Sequence, residues 1–178
     1  MEIEQYLTPA PLNMQEYAPY MWGSHVKRYT KESFPDLEDI KIAIIGVGEE
    51  RNSCGNKGCA AAPGKVRENF YMLSYIHAVS VADLGNILPG NTVNDTYSAL
   101  EFVCAELLEK KIIPVVIGGS QDLTYANYVA YQKLLQRVNI VCVDSKIDLG
   151  KIDSEINAAT YLSKILQYQP SLLFNYSH

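Results

Sequence analysis

No apolar run in this chain of 178 residues approaches the roughly 20 that a membrane span needs. The opening, MEIEQYLTPAPLN, carries two acids and two prolines where a signal peptide would have basic residues and an apolar stretch. Basic charge is short too: 15 Lys plus Arg against 20 Asp plus Glu leave a net charge of −5. A nucleic-acid binder rests on cations facing phosphates, so that class is disfavoured. Neither a membrane nor a nucleic acid is expected as a partner. Internal repeats and low-complexity tracts are also missing, and so is the G-x-S-x-G elbow of serine hydrolases. Histidine is scarce, with only His25, His77 and His178, and none lies near Ser120 in sequence. His25, in the amino-terminal arm, reads as an exposed or capping residue.

Cysteine is limited to four residues. Cys104 lies in a helical pattern and Cys142 in a strand pattern, both as small core hydrophobes. Cys54 and Cys59 share a glycine-rich loop. A structural zinc site wants four ligands, usually in two close pairs, and no second pair is near. Plain thiols and a reducing cytoplasm are the expectation.

What is present is an ordinary globular balance, 48% hydrophobic and 20% charged. A domain of this size buries about 70% of its unfolded surface without disulfides or metals. Residues 1–39 hold four of the eight prolines and no sustained period, which predicts an irregular arm. From residue 40 to 178 strands and helices alternate in one domain. The predicted strands are KIAIIGVG, HAVSVADLG, IIPVVIGG, VNIVCVD and SLLFNY. Between them helices are predicted over residues 62–75, from Asn94 or Asp95 to Lys111, from a Ser120 cap to about Gln136, and near 154–169. Val66, Phe70 and Leu73 stand at helical spacing in the first. The alternation predicts an α/β fold of three layers, α/β/α, with a doubly wound, mostly parallel sheet of about five strands. The last strand is followed only by Ser177 and His178. A covering helix would be expected there, so a truncated carboxyl terminus is anticipated.

Ligands of such sheets bind beyond the carboxyl ends of the strands. Those ends carry Gly46-Val47-Gly48, Asp83, Gly118-Gly119-Ser120-Gln121 and Asp144. The first invites a dinucleotide reading, with Asp83 on a ribose. However, Arg51 replaces the third glycine, and Glu49 and Glu50 would face a pyrophosphate with like charge. The Gly118-Gly119 pair allows a tight turn that brings Ser120, Gln121 and Asp122 to the mouth of the sheet, unless Ser120 is merely a helix cap. Ser120, Asp122 and Asp83 are the pocket candidates. Asp144, Lys146 and Asp148 alternate, so in extended chain they point the same way. Two carboxylates suggest a cation site, but the ammonium of Lys146 would fill the space between them.

Several motifs, in order, make the chain similar to the amino-terminal half of the ureohydrolase superfamily (arginase, agmatinase, formimidoylglutamase). Ala62-Pro63-Gly64-Lys65-Val66-Arg67-Glu68 resembles its G-P-x-x-[IV]-R helix start. Val81-Ala82-Asp83-Leu84-Gly85-Asn86 resembles its D-x-G-[DN] strand end. Gly118-Gly119-Ser120-Gln121 stands where the family has G-G-D-H or G-G-G-H, and Asp144-Ser145-Lys146-Ile147-Asp148 where it has D-A-H-x-D. Asp122-Leu123-Thr124-Tyr125-Ala126 and Asp148-Leu149 look closest to the formimidoylglutamase branch. The resemblance implies two manganese ions that share a hydroxide attacking an amidine carbon. It also implies that the two histidine ligands are here Gln121 and Lys146, with Asp144 and Asp148 kept and two further aspartates in a half not represented. Gln121, Asp144, Lys146 and Asp148 are then vestigial metal positions, with no catalytic residue and no bound metal cofactor expected. Lys146 is expected to pair with Asp144 or Asp148.

The resulting expectation is a non-catalytic binding or assembly unit. The alternatives are the amino-terminal part of an active amidine hydrolase and a small nucleotide-binding regulator. The partner is expected to be a second copy or a missing carboxyl-terminal half. The family's strand order, 2-1-3-8-7-4-5-6, would leave a two-strand gap between the third and fourth strands. Closure to 2-1-3-4-5 is sterically easy and is the expected outcome, with helices on both faces and Tyr125, Tyr128 and Tyr131 at a homodimer surface.

Overall fold

A computed structural model describes residues 2–11, 16–76, 79–151 and 155–178. His77 and Ser154 lie outside them. Strand β3 (Ile42–Gly46) is the centre of the main sheet. Its apolar run serves two layers. Ala43, Ile45 and the following Val47 join one core, and Ile42 and Ile44 join the other, as the two-residue period of a strand requires. Parallel neighbours flank it, β4 (Val81–Ile87) on one side and β5 (Ile113–Ile117) on the other. Residues 2–11 and 16–39 carry more regular structure than an irregular arm. They supply β1 (Leu7–Thr8), antiparallel to β4, and β2 (Lys27–Arg28), parallel to it. The sheet therefore has five strands, mostly parallel, along the path β1-β4-β3-β5 with β2 also on β4. The expected α/β class holds.

Helix α1 spans Ala62–Phe70 with Pro63 in its first turn, where a missing N–H costs nothing. It is shorter than the predicted 62–75. The residues it buries are Pro63 and Arg67, while Val66 and Leu73 are exposed. A charged side chain with a buried partner thus outranks the apolar period in setting the inward face. Helix α2 (Val93–Glu109) begins at Thr92, not Asn94 or Asp95. The Asp95 N–H donates to Thr92 Oγ1 at 3.2 Å and the Thr92 N–H to Asp95 Oδ2 at 2.7 Å, a reciprocal cap of two otherwise orphan donors. Helix α3 spans Leu123–Lys133 without a side-chain cap, so Ser120 is not the predicted N-cap.

Beyond α3 the chain forms β6 (Val138–Val141), α4 (Tyr161–Gln167) and β7 (Leu173–Ser177). Strands β6 and β7 pair in parallel as a separate two-stranded sheet. The predicted closure is therefore overturned: β5 and β6 are not hydrogen-bonded, and no described strand lies between them. Cover on both faces also fails at this side. Ile113 and Val115 of β5 are exposed, as are Val141 (76%), Val143 (99%) and Phe174 (72%). Helix α3 bridges the interval. Leu123, Ala126 and Ala130 join the main core, and Tyr128 and Val129 pack with Tyr161, Leu162 and Ile165 of α4. The three tyrosines do not share one surface. Tyr128 is buried, Tyr125 and Tyr128 lie against Tyr168, and Tyr128 and Tyr131, but not Tyr125, line the open interval.

Candidate functional site

The carboxyl ends of β3, β4 and β5 are held by buried polar networks. At β4, Arg67 is fully buried and reaches Asp83 through two hydrogen bonds, Nε–Oδ2 at 2.7 Å and Nη2–Oδ1 at 2.9 Å. It also donates from Nη1 to Asn86 Oδ1 (2.6 Å) and from Nη2 to the Gly85 carbonyl (2.7 Å). The Tyr71 hydroxyl and the Gly85 N–H also donate to Asp83. A Cβ on Gly46 would sit 2.0 Å from Asn86 Oδ1 and 2.6 Å from Arg67 Nη1, so glycine is required there. Asp83 is thus a satisfied structural carboxylate. Its other surroundings are a cavity of about 360 Å³ lined by Arg28, Tyr29, Lys31 and Tyr71. Burial first, then the Asp83 charge, pushes the Tyr71 hydroxyl well above its ordinary range.

The loop after β3 is occupied in the same way. Glu49 is buried and takes a bidentate pair from Arg51. Arg51 Nη1 also reaches the Asn91 carbonyl at 3.0 Å. This ties the loop to the start of α2 and leaves no open phosphate cradle, which removes the basis for a dinucleotide site at Gly46-Val47-Gly48. The turn after β5 rests on the same loop: the Ser120 N–H donates to the Glu49 carbonyl at 2.9 Å, and a Cβ on Gly119 would meet that oxygen at 2.2 Å. Asp122, fully buried, accepts from the Ser120 and Tyr97 hydroxyls. Burial raises its pKa, and the Tyr97 bond opposes this. Ser120 and Asp122 therefore serve each other, and Ser120 lines a cavity of about 410 Å³ together with Gln121.

Gln121 and Asp144 do come together. Gln121 Nε2 donates to Asp144 Oδ2 at 2.7 Å and approaches Tyr161 Oη at 3.2 Å. Asp144 Oδ1 accepts from the Ser145 N–H at 2.5 Å. The Gln121 bond, then that backbone donor, holds the Asp144 carboxyl below its usual range. Asp148 is shifted the other way, by partial burial and then by the Asp144 charge. One of its oxygens, Oδ2, is buried without a hydrogen-bond partner. The expected Lys146 ion pair is not formed. The residue is exposed, and no ion pair within 4.0 Å joins it to Asp144 or Asp148. Its carbonyl lies 3.0 Å from His178 Nε2. Sequence reasoning missed Tyr161, Cys142 and Tyr176, which surround this point; the Cys142 thiol is 3.9 Å from Tyr161 Oη. Only the packing of α4 beneath β6 brings Tyr161 to Gln121, and no local motif signals that. His25 bonds the Pro19 carbonyl at 2.7 Å and stacks on Tyr75, far in sequence from every candidate position.

The model of the arginase family matches residues 40–174. The chain belongs to the arginase family. Formimidoylglutamase from Lysinibacillus sphaericus is 28% identical over 155 residues, covering 82% of this chain and 48% of the relative. The Halobacterium salinarum formimidoylglutamase is 32% identical over 120 residues, 64% of this chain and 39% of the relative. Among solved structures, formimidoylglutamase from Bacillus subtilis superposes with a TM-score of 0.71 at 17% identity, covering 95% of this chain and 55% of that one. The manganese-bound formiminoglutamase from Trypanosoma cruzi gives 0.69 at 22% identity, covering 77% and 51%. This arginase-family chain thus spans about half the length of its relatives.

A pair of manganese ions does not fit the donors present. Among the described residues, no group of three or more His, Cys, Asp or Glu side chains is placed to hold a metal. The Gln121 amide N–H already faces Asp144, and an ammonium such as Lys146 has no lone pair to offer.

Proposed function

We propose that this arginase-family chain is a non-catalytic binding or assembly unit whose dimanganese site is degenerate. The observation that carries the reading is the Gln121–Asp144 hydrogen bond. It sets a neutral amide donor against a carboxylate, as a relic of a ligand pair would if the cation had been replaced by an N–H. Hard dications can use carboxylates and water, but a glutamine and a lysine do not substitute for two imidazoles. A cytoplasmic setting belongs to the same reading, in keeping with four free thiols. The test is elemental analysis after manganese loading and desalting. Less than about 0.1 ion per chain is expected, against the two ions of a site of this type. Retention of one or two would overturn the proposal. Gln121→His with Lys146→His should raise manganese affinity yet give no amidine hydrolysis, because two further carboxylate ligands are missing.

The second reading, the amino-terminal part of an amidine hydrolase of the formimidoylglutamase or agmatinase kind, draws on one specific observation. The matched relatives bear the name formimidoylglutamase and are about twice as long. Turnover of formiminoglutamate or agmatine by the chain together with a complementing half would favour it.

A further inference from the structure

The outer edge of β4 is shared by two short strands that meet head-on. Strand β2 runs parallel to β4, and its pairing stops at Arg28, opposite Asp83. Strand β1 runs the other way, and its pairing stops at Thr8, opposite Asn86. Leu84 and Gly85, in the interval, are paired with neither. Their register against β3 is irregular as well, since Ile44 lies opposite Asp83 and Gly46 opposite Asn86. Irregularities of this kind bend a strand and re-aim chain beside a site. Gly85, at φ +76, is pressed against β1, where a Cβ would stand 2.0 Å from the Thr8 carbonyl oxygen. With the edge occupied from both directions, the chain after each short strand has to leave the sheet. Pro9 and Ala10 form one wall, and residues 29–32 the other, of the cavity of about 360 Å³ whose floor is Tyr71 and Asp83.

Arg28 brings an unmatched cation to that space. Its Cζ lies 5.7 Å from the centre of the Tyr17 ring and 6.0 Å from that of Tyr71, so two aromatic rings hold the guanidinium in place. Its side-chain N–H groups are unused. Among the described residues none of them is hydrogen-bonded, and no carboxylate lies within 4.0 Å. None is sealed from solvent either. Asp83 is not the missing partner, because Arg67 already takes both of its oxygens, at 2.7 and 2.9 Å. The exposed Lys31 adds a second cation to the lining, and Glu32 offsets one of the two. With Asp83 balanced by Arg67, the cavity keeps a single positive charge. A half-buried cation with an open donor edge is what an incoming anion relieves.

We propose that this cavity binds a small organic carboxylate, held by the open N–H edge of Arg28 with Lys31 at its mouth. A guanidinium fork matches the two oxygens of a planar carboxylate. One net positive charge suits a monoanion. A phosphate dianion asks for more donors, and neither a helix N-terminus nor a glycine-rich run of backbone amides lines this space. Pro9, Ala10 and Tyr29 offer the body of the ligand an apolar surface. The volume is at the low end of ligand pockets, so that body is a short aliphatic chain or a single ring. No lining residue is shared with the Gln121–Asp144 contact. The assignment therefore stands whether or not that contact marks a lost manganese site.

Benzoate and its neutral isostere benzamide are the probes, titrated into the full chain by calorimetry with amide NMR spectra recorded in parallel. Benzoate should bind at least about 10-fold tighter than benzamide, since only the anion makes charge-assisted hydrogen bonds. Shifts should centre on the Ala10, Arg28, Tyr29 and Lys31 amides and leave Gln121 and Asp144 unmoved. Arg28→Met should weaken benzoate by about 10- to 100-fold. Arg28→Lys keeps the charge and loses the fork, so its loss should be smaller. At the exposed rim, Lys31→Gln should weaken benzoate by about two- to five-fold and Glu32→Gln should tighten it by a similar factor. These opposite responses decide the matter even where Arg28→Met fails to fold. No binding of benzoate, equal affinity for benzamide, shifts confined to other surfaces, or rim variants that leave the affinity unchanged would each overturn the proposal. Inorganic phosphate binding tighter than benzoate would overturn the carboxylate assignment.

Discussion

Strands β3 and β6 read alike in sequence and end in different surroundings. IAIIG and VNIVCV are both apolar and β-branched, yet β3 is paired on both sides and packed on both faces, whereas β6 is paired only with β7 and shows Val141 and Val143 to solvent. The polar ends of the two regions differ in the same sense. Below β3 and β4 both oxygens of Asp83 and all three side-chain nitrogens of Arg67 are hydrogen-bonded within one closed network. Around β6 and β7, Asp148 Oδ2 and Tyr176 Oη are buried with none. A continuous apolar run records that a strand is built for burial on both faces. It does not say which segment supplies the cover.

The sharpest way to break this comparison is to open the closed network. Arg67→Ala leaves the Asp83 carboxylate buried beside Tyr71 without its cation, and we expect a loss of about 3–5 kcal/mol in urea unfolding. Arg67→Met with Asp83→Leu should recover most of it, since an apolar pair strands no charge. Full stability of Arg67→Ala would mean that the two regions are equally loose. Next in size is Leu162→Ala in α4, a buried truncation expected to cost about 2–4 kcal/mol locally. Amide exchange should show β6 and β7 losing protection while β3 and β4 keep theirs. Equal loss in both sheets would show one cooperative unit instead of two.

The element order, the parallel core and the glycine turns were legible because they are local: β-branched runs ending in glycine, a proline opening a helix, a small residue where the chain must turn. The family followed from four short motifs in order. The departures have a common physical cause, which is that long-range partners leave no local trace. Arg67 looks like a surface cation in a helix until Asp83, sixteen residues on, is seen to neutralise it, and the apolar period of Val66 and Leu73 then points outward. Glu49 looked repulsive to a pyrophosphate, and it is instead the partner of Arg51. Closure of β5 onto β6 was sterically easy, but α3 wedges between α2 and α4 and holds them apart, and the tyrosine spacing drifts round that helix instead of forming a stripe. At the candidate site, Asp144 and Asp148 could be named from their alternation and Gln121 from the Gly118-Gly119 turn and the family resemblance, whereas Tyr161 could not.

A smaller effect bears on α3, between the two regions. Asn127→Leu removes an unmet buried oxygen at similar volume, so the chain should gain about 1 kcal/mol or more in urea unfolding. A destabilised chain would mean that Oδ1 is satisfied in solution.

The smallest expected change tests whether the closed region owes anything to surface charge. The Thr92 and Asp95 cap at the start of α2 is satisfied from within, and Thr92→Ala should cost about 1 kcal/mol. The Asp95 carboxyl is held below its ordinary pKa first by the Thr92 backbone N–H, then by the Thr92 hydroxyl. A carboxyl with a depressed folded pKa contributes stability above its unfolded value, and that contribution is lost as pH falls through the folded one. Asp95→Asn should therefore lower the Tm at pH 7, and the gap to wild type should close as pH drops below about 4. Asp95 is exposed, so added salt should shrink the gap as well. A Tm difference that stays constant from pH 7 to about pH 2 would show that the cap acts through hydrogen-bond geometry alone and not through the charge of Asp95.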